Sequence, residues 1–210
     1  MKGKFIIISS PSGGGKGTLI KEVRGMMPEL GYSISYTTRP QRFGEEDGRE
    51  YHFVTKEHFE GLVNDAEFLE YAEVHGNFYG TSLRESEKVF QTGKDLIVEV
   101  DVQGAIQIMD RLADANISIF ILPPSFEVLK ARLTARATED QTELETRLRN
   151  SFDEILRYSR FKYVVVNQDV SAASRQIASI IMAERQLLDR QTDAIQAILD
   201  SFDASRHLYS

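Results

Sequence analysis

The sequence has no cysteine among its 210 residues. That excludes disulfides, thiolate catalysis and cysteine-ligated zinc. Histidine is scarce: the four histidines stand at positions 52, 58, 75 and 207, with no His-x-x-x-His pair, so no histidine metal site is expected. Long apolar runs are also missing. The longest hold four residues, as at 5–8 and 119–122, far short of the ~20 that a membrane helix needs. The four residues ahead of the first run are too few for a signal peptide. A cytoplasmic location with no membrane partner is therefore expected. Positive charge is not in excess either, with 25 Lys and Arg against 32 Asp and Glu and a net charge of −7. General affinity for nucleic acid is not expected, and any anion must be held by local clusters of donors. What is present is ordinary globular composition, 41% hydrophobic and 27% charged. A chain of this length buries roughly 70% of its unfolded surface, so a single domain is expected over residues 1–210.

Residues 4–9 (KFIIIS) form a β-branched run stopped by Ser-Pro-Ser-Gly-Gly-Gly. An apolar run without alternation reads as a strand buried on both faces, hence parallel. A helix is expected from residue 18 to about 27, ended by Pro28. Further strands are expected at 96–101, 117–122 and 163–166, with helices at 104–115, 126–137 and 144–158. Strand–helix alternation of this kind predicts a doubly wound α/β sheet. Residues 33–93 break the rhythm with short alternating pieces (32–36, 51–54, 68–74) and many turn residues, which predicts a small mixed α+β insertion. The polar stretch 137–142 (ATEDQT) separates two arginine-bearing helices and reads as a hinge. Residues 172–202 carry apolar positions at helical spacing, as one long helix or two shorter ones.

The strongest chemical signal lies between the first strand and the first helix: Ser10-Pro11-Ser12-Gly13-Gly14-Gly15-Lys16-Gly17-Thr18. The phosphate-loop pattern is G-x-x-x-x-G-K-[ST]. Glycines permit positive φ and let the backbone approach a ligand. Successive N–H groups then converge at a positive helix end and cradle polyphosphate, while the lysine reaches its outer phosphates. Two positions depart from the pattern. Ser10 stands at the first glycine, and Gly17 stands where a serine or threonine hydroxyl would hold Mg²⁺. Thr18 offers the next hydroxyl; the alternative is a metal held largely through water. A second signal is Glu99 and Asp101 near the end of the strand LIVEVD. Residues i and i+2 of a strand share a face, so both carboxylates point toward the place where nucleotides sit in open α/β sheets. One can orient metal-bound water and the other can read a substrate, or Asp101 is simply the N-cap of the helix that follows.

Two arginine clusters complete the set. Arg39 and Arg42 lie in the turn TTRPQR, where planar guanidinium forks suit phosphate oxygens, and Tyr51 and Tyr79 can add neutral donors. Arg132 and Arg136 are four residues apart on one expected helix, with Arg147 beyond the polar hinge. They read either as an ordinary charged helix face or as a closing lid whose arginines neutralise a transferring phosphoryl group and exclude water.

With these residues in place, the chain resembles the guanylate kinase family up to about residue 186. The resemblance rests on SSPSGGGKGT (9–18), SYTTRPQRFGEEDGREYHF (35–53), FLEYAEVHGNFYGT (68–81), EVDVQGA (99–105), IFILPPS (119–125) and VVNQD (165–169). It implies a parallel-sheet P-loop kinase core (1–32, 94–126 and 157–190), a GMP-binding region (33–93), a helical lid (127–156) and a C-terminal helical extension (187–210). It also implies transfer of the γ-phosphoryl of ATP to GMP, and to dGMP with it, with Mg²⁺ as cofactor. Carried over residue by residue, it assigns ATP to Pro11, Ser12, Gly13, Gly14, Gly15, Lys16, Gly17, Thr18 and Asn167. The GMP phosphate falls to Arg39, Arg42, Tyr51 and Tyr79. Guanine falls to Ser35, Glu70, Thr81 and Asp101, with Glu45 close to the same pocket. Lys16, Arg39 and the lid arginines Arg132, Arg136 and Arg147 are the expected catalytic cations, and Mg²⁺ is expected near Thr18 and Glu99. Gly17 departs from the family's usual Ser or Thr and matches the adenylate kinase pattern GKGT, and Thr81 stands where the family often has Ser.

The base chemistry agrees. Guanine presents N1–H and N2–H₂ donors beside an O6 acceptor, which carboxylates and a hydroxyl such as Ser35 complement. Adenine would leave polar groups unpaired, a mismatch worth roughly 10⁴–10⁵ in discrimination. Three rivals fit less well. A phosphopeptide-binding module would not need Lys16 or the lid arginines. A phosphorylated-sugar kinase would not need Ser35, Glu70 and Asp101 together. A GTPase would need a lysine that Asn167-Gln168-Asp169 lacks. The oligomeric state is not legible.

Overall fold

The computed structural model describes residues 3–74, 76–113, 115–135 and 141–208. The first apolar run forms β1 (Phe5–Ser9), buried at every position. Its three isoleucines are wholly buried, each contributing ~1.5–3 kcal/mol of transfer free energy. From β1 the chain enters α1 (Lys16–Met26) and then the short β2 (Gly31–Tyr32). It next builds a separate layer: β3 (Tyr36–Thr37), β4 (His52–Phe53), α2 (Lys56–Asn64), β5 (Phe68–Val74), β6 (Asn77–Ser82) and α3 (Leu83–Gln91). The alternation resumes with β7 (Leu96–Glu99), α4 (Val102–Leu112), β8 (Asn116–Leu122), α5 (Phe126–Ala135), α6 (Gln141–Ile155) and a 3₁₀ segment, Leu156–Arg160. It ends with β9 (Tyr163–Val166), α7 (Val170–Arg185) and α8 (Thr192–Ser205).

The main sheet is parallel, in the order β2-β7-β1-β8-β9. The fold is therefore the α/β architecture expected, with β1 at the point where strand order reverses. Alternate side chains of β1 serve opposite faces. Ile6 and Ile8 pack with Leu19 and Val23 of α1 and Ile177 and Ile181 of α7. Phe5 and Ile7 pack with Ala105 and Ile108 of α4. The second sheet runs β4-β3-β6-β5 and is mixed, with β3 and β4 parallel and the other pairs antiparallel.

Several boundaries differ from the sequence expectation, each for a physical reason. The run at 32–36 is divided between sheets: Tyr32 pairs with Ile97 of β7, whereas Tyr36 pairs with Gly80 and His52. The strand expected at 96–101 stops at Glu99, because Asp101 accepts from Gly104 N (2.9 Å) and caps α4, which starts two residues early. The helix expected at 144–158 begins at Gln141 and tightens into 3₁₀ turns from Leu156. Residues 172–202 are two helices separated by a 3₁₀ turn, Leu188–Arg190. Not anticipated were β6, whose Asn, Gly and Ser read as turn residues, and the nine-residue helices α2 and α3, in which Phe59 and Ser86 are the fully buried positions. Arg136 and residues 137–140 of the expected hinge lie outside the described residues. Among the described residues, no helix is long and apolar enough to cross a membrane.

Candidate functional site

The carboxyl ends of β1 and β7 open at the same edge of the sheet, the ligand-binding edge of open α/β folds. The segment after β1 is bent by two glycines with φ of +82° at Gly13 and +88° at Gly15. This left-handed conformation suits glycine and strains other residues. A tight turn, Gly14 N to Pro11 O at 2.9 Å, holds the bend, and Gly15 caps α1. The first-turn N–H groups of a helix have no intrahelical partner, so this loop ends on donors that face outward. Residues 10–17 line an open cavity of about 230 Å³, together with Val74, Glu99, Asp101, Arg147 and Glu154. Thr18 is exposed on the first turn of α1 and stands outside that lining.

Two of the loop's donors, Lys16 Nζ and Ser12 N, are engaged by the protein itself, and Gly14 O accepts from outside the loop. Lys16 Nζ donates to Val100 O at 2.6 Å. Asn167, buried just past β9, donates from Nδ2 to Gly14 O at 2.9 Å. Arg132 of α5 donates from Nη2 to Asn167 O at 2.9 Å and from Nη1 to Gly14 O at 3.4 Å. Ser12 N donates to Glu154 Oε2 of α6 at 2.9 Å. An acidic side chain from the expected lid is thus docked on a loop whose shape suits anions.

A second cavity, of about 170 Å³, adjoins the first and shares Lys16, Glu99 and Asp101 with it. Ser35, Tyr51, Glu70 and Tyr79 complete its polar lining. The second sheet places these side chains. A bulge between Phe68 and Glu70 shifts the register so that Glu70 faces Thr81 across the β5–β6 ladder. Bulges re-aim single side chains in this way. Thr81 Oγ1, wholly buried, then donates to Glu70 Oε1 at 2.7 Å. Burial pushes the Glu70 carboxyl up to about 7, with Asp101 adding to the rise and the Thr81 hydrogen bond opposing it. Tyr51 packs edge-on against Tyr79 with ring centres 5.8 Å apart. Burial, then Glu99, pushes the Tyr51 hydroxyl up to about 12, so it remains a donor at neutral pH.

Not every expected residue lines a cavity. Arg39 pairs with Glu45 through Nη2, at 2.8 and 3.0 Å to the two oxygens, and lies over the Tyr51 and Phe53 rings at 5.4 and 5.6 Å. Glu45 therefore acts on Arg39, and Thr81 on Glu70. Arg42 is exposed, its backbone N–H donating to Glu45 Oε2. Arg147 is buried at the first cavity.

Sequence reasoning passed over Tyr32, Gly104 and Glu154. Tyr32 Oη donates to Glu99 Oε2 at 3.1 Å, and burial with the Glu99 charge raises its pKa far above the ordinary phenol value. A Cβ at Gly104 would meet Glu70 Oε2 at 2.5 Å, so that glycine makes room for the carboxylate. Glu154 lies seven residues, two helical turns, beyond Arg147. That spacing alone places both on one face of α6.

The comparisons with known proteins agree with this geometry. A family model described as Guanylate kinase matches residues 2–184. The guanylate kinase of Clostridium perfringens strain 13 is 44% identical over 189 residues, covering 90% of this chain and 87% of its own. That of Neisseria meningitidis serogroup A is 44% identical over 200 residues, covering 95% and 97%. The crystal structure of guanylate kinase from Anaplasma phagocytophilum superposes with a TM-score of 0.74 at 33% identity, covering 90% of this chain and 89% of that one.

Proposed function

This chain belongs to the guanylate kinase family, and from that premise we propose how its two cavities divide the work of an ATP:GMP phosphotransferase. The loop cavity takes the phosphates of ATP, on the N–H groups of residues 12, 13 and 15–17 and the Lys16 ammonium, with Asn167 toward the adenine side. The adjoining cavity takes GMP. Glu70 and Asp101 accept from guanine N1–H and N2–H₂, and the Ser35 hydroxyl donates to O6. Arg39, Arg42, Tyr51 and Tyr79 take the GMP phosphate. The observation that carries this reading is that Lys16, Glu99 and Asp101 belong to both cavities at once, so the two nucleotides meet end to end.

The reaction then needs no covalent intermediate. A GMP phosphate oxygen attacks the γ-phosphorus in line, and ADP leaves. Positioning and charge neutralisation supply most of the acceleration in phosphoryl transfer. Lys16 stays with the outer phosphates, while Arg132, Arg136 and Arg147 stabilise charge on the transferring group. Arg132 already rests on the loop backbone. Were a divalent metal such as Mg²⁺ to bind with ATP, it would neutralise phosphate charge, and Glu99, which lines both cavities, would be the residue to hold it, directly or through water, with Thr18 as the nearest hydroxyl in sequence. The regions follow the same division: core 1–32, 94–126 and 157–190, GMP-binding 33–93, lid 127–156 and extension 187–210. The reading extends to dGMP, which presents the same base and phosphate. A coupled assay of ADP release with GMP, dGMP, AMP and ribose 1,5-bisphosphate tests it. Turnover with GMP and dGMP alone is expected; ADP release with AMP or the sugar bisphosphate, and none with GMP, would overturn it.

A further inference from the structure

At the end of the main sheet opposite the phosphate loop, a larger cavity of about 640 Å³ opens where β1 and α8 begin. Lys4, just ahead of β1, and Ala115, just ahead of β8, line one side of it, and Asp189, Arg190, Thr192 and Asp193 line the other. The length of β1, roughly 17 Å, lies between this cavity and the loop. Among the described residues it shares none with the two nucleotide cavities. Its volume falls in the range of small-molecule sites, about 300–1,000 Å³.

Arg190 is what marks it. The side chain is 4% exposed, and Nη2 donates to Asp95 Oδ1 at 2.6 Å. Nε and Nη1 are buried as well and have no hydrogen-bond partner among the described residues. The charge is only partly compensated, because Asp95 is shared with Arg185, whose Nε donates to Asp95 Oδ2 at 2.8 Å. Arg185 has a second carboxylate, Glu29 at 2.6 Å; Arg190 pairs with Asp95 alone among the described residues. Buried donors in native structures are nearly always paired, and leaving a charged one unpaired is costly. A water molecule would pair the N–H groups and leave the charge; an anion answers both.

Other donors converge on the same space. Lys4 Nζ stands 3.6 Å from Glu184 and 3.9 Å from Asp189, longer than hydrogen bonds on both sides. Thr192 opens α8, a helix of 14 residues whose N-cap, Gln191, makes no side-chain cap bond. The Gln191 amide donates instead to Arg185 O at 2.7 Å. The positive end of α8 therefore lies at the cavity without the usual capping oxygen. Asp189 and Asp193 are exposed at the rim, where they oppose a highly charged ligand and can accept from the hydroxyl groups of a larger one.

We propose that this cavity is a second ligand site, for a small molecule carrying a phosphate group, with Arg190 and Lys4 as the cations that hold it. Guanidinium and ammonium groups are the usual side-chain donors to phosphate oxygens. The site stands apart from phosphoryl transfer and does not depend on how the nucleotide cavities are read.

Titration of the full-length protein, followed by ¹H–¹⁵N NMR at the Lys4, Ala115 and Thr192 amides, tests it. The probes are ribose 5-phosphate, inorganic phosphate and ribose, and the Gly13 and Gly15 amides report binding at the phosphate loop separately. Saturable shifts at the first three amides are expected with at least one phosphate probe, and none with ribose. Which phosphate probe binds tighter tells a phosphorylated metabolite from the free ion. Arg190→Met and Lys4→Gln should each weaken that binding by about 10-fold or more, the loss of a hydrogen bond to a charged group. Absence of saturable shifts with both phosphate probes overturns the proposal, as does ribose binding as tightly as ribose 5-phosphate. Affinity held to within about twofold in either folded variant means an adventitious ion only and overturns it too. Arg190→Met also takes a partner from buried Asp95; should that variant fail to fold, Lys4→Gln decides alone on the same criterion.

Discussion

The two halves of the site are made of different material. The loop half is main chain: its shape comes from two left-handed glycines, and its strongest donors rest on the protein's own acceptors, Lys16 on Val100 O and Ser12 N on Glu154. The half proposed to read the base is side chain. It sets three carboxylates, Glu70, Glu99 and Asp101, around one small cavity, the first of them 5% exposed and accepting from the Thr81 hydroxyl at 2.7 Å. Backbone donors are fixed by the fold, so phosphate recognition there is robust to substitution. Base recognition depends on a few replaceable groups whose burial is itself costly. The first half waits with Lys16 and Ser12 N on internal acceptors; the second keeps a buried carboxyl whose pKa burial raises.

If the loop half owes its chemistry to the backbone, its one indispensable side chain is Lys16. Lys16→Met should lower kcat by about 10²–10³-fold, the scale for removing a preorganised donor from the transition state. GMP affinity by calorimetry should stay within a few-fold. A kcat within tenfold of the unmodified enzyme would mean that the backbone alone carries the donor site.

The acceptor half should answer in the opposite way. Glu70→Gln removes an acceptor from guanine and should weaken GMP binding by about 10–100-fold, corresponding to ~1.5–3 kcal/mol for a hydrogen bond to a charged group, with ATP affinity unchanged. Equal losses for both nucleotides would erase the distinction between the halves. The same variant should be more stable at pH 8. Because the folded-state pKa is raised toward 7, the fold binds protons more tightly than the unfolded chain between about 4.5 and 7. The favourable contribution is complete below that window and lost as pH rises through about 7. It amounts to at most ~3 kcal/mol. Denaturant midpoints at pH 5 and 8 should therefore separate the unmodified protein from Glu70→Gln chiefly at the higher pH.

Binding should follow the same titration. Guanine needs an accepting carboxylate, so GMP affinity should fall as pH drops below about 7, by up to ~10-fold per unit. The GMP phosphate also takes up a proton near pH ~6; subtracting the profile of Glu70→Gln removes that part. A difference profile flat between pH 6 and 8 would show that Glu70 is ionised throughout.

Much of this was legible in the sequence, and unevenly so. The core strands were, because burial on both faces demands unbroken β-branched runs such as FIIIS and YVVV. The loop was, because its glycines and lysine are adjacent in sequence. The insertion was read as mixed, but its elements were not resolved. Two-residue strands such as β3 and β4 carry no periodicity, and the bulge that turns Glu70 toward Thr81 has no one-dimensional trace. Asp101 was left between a helix cap and a site residue. It caps α4 and lines both cavities, since a strand-end carboxylate before a helix can do both. Tyr32 was missed because its partner, Glu99, is 67 residues away; only strand adjacency joins them.

The smallest expected effect bears on how the loop half waits. Glu154 Oε2 accepts from Ser12 N, placing an anion where a nucleotide phosphate would compete for the same N–H. Both acceptors make charge-assisted bonds; a polyphosphate held by the rest of the loop displaces the carboxylate, and the displacement subtracts from ATP affinity. Glu154→Gln keeps the shape and weakens the competitor. It should tighten ATP binding by about 2–5-fold, within the ~0.5–1.5 kcal/mol of a typical net hydrogen bond, and leave GMP affinity unchanged. Arg147, two turns earlier on the same helix, is buried at the same cavity, and the opposite outcome assigns the carboxylate to orienting it. In that case Glu154→Gln would weaken ATP binding or lower kcat, and the waiting state of the loop would be a support rather than a latch. Isothermal titration with ATP and with GMP, run on both proteins at one ionic strength, distinguishes the two by the sign of the change.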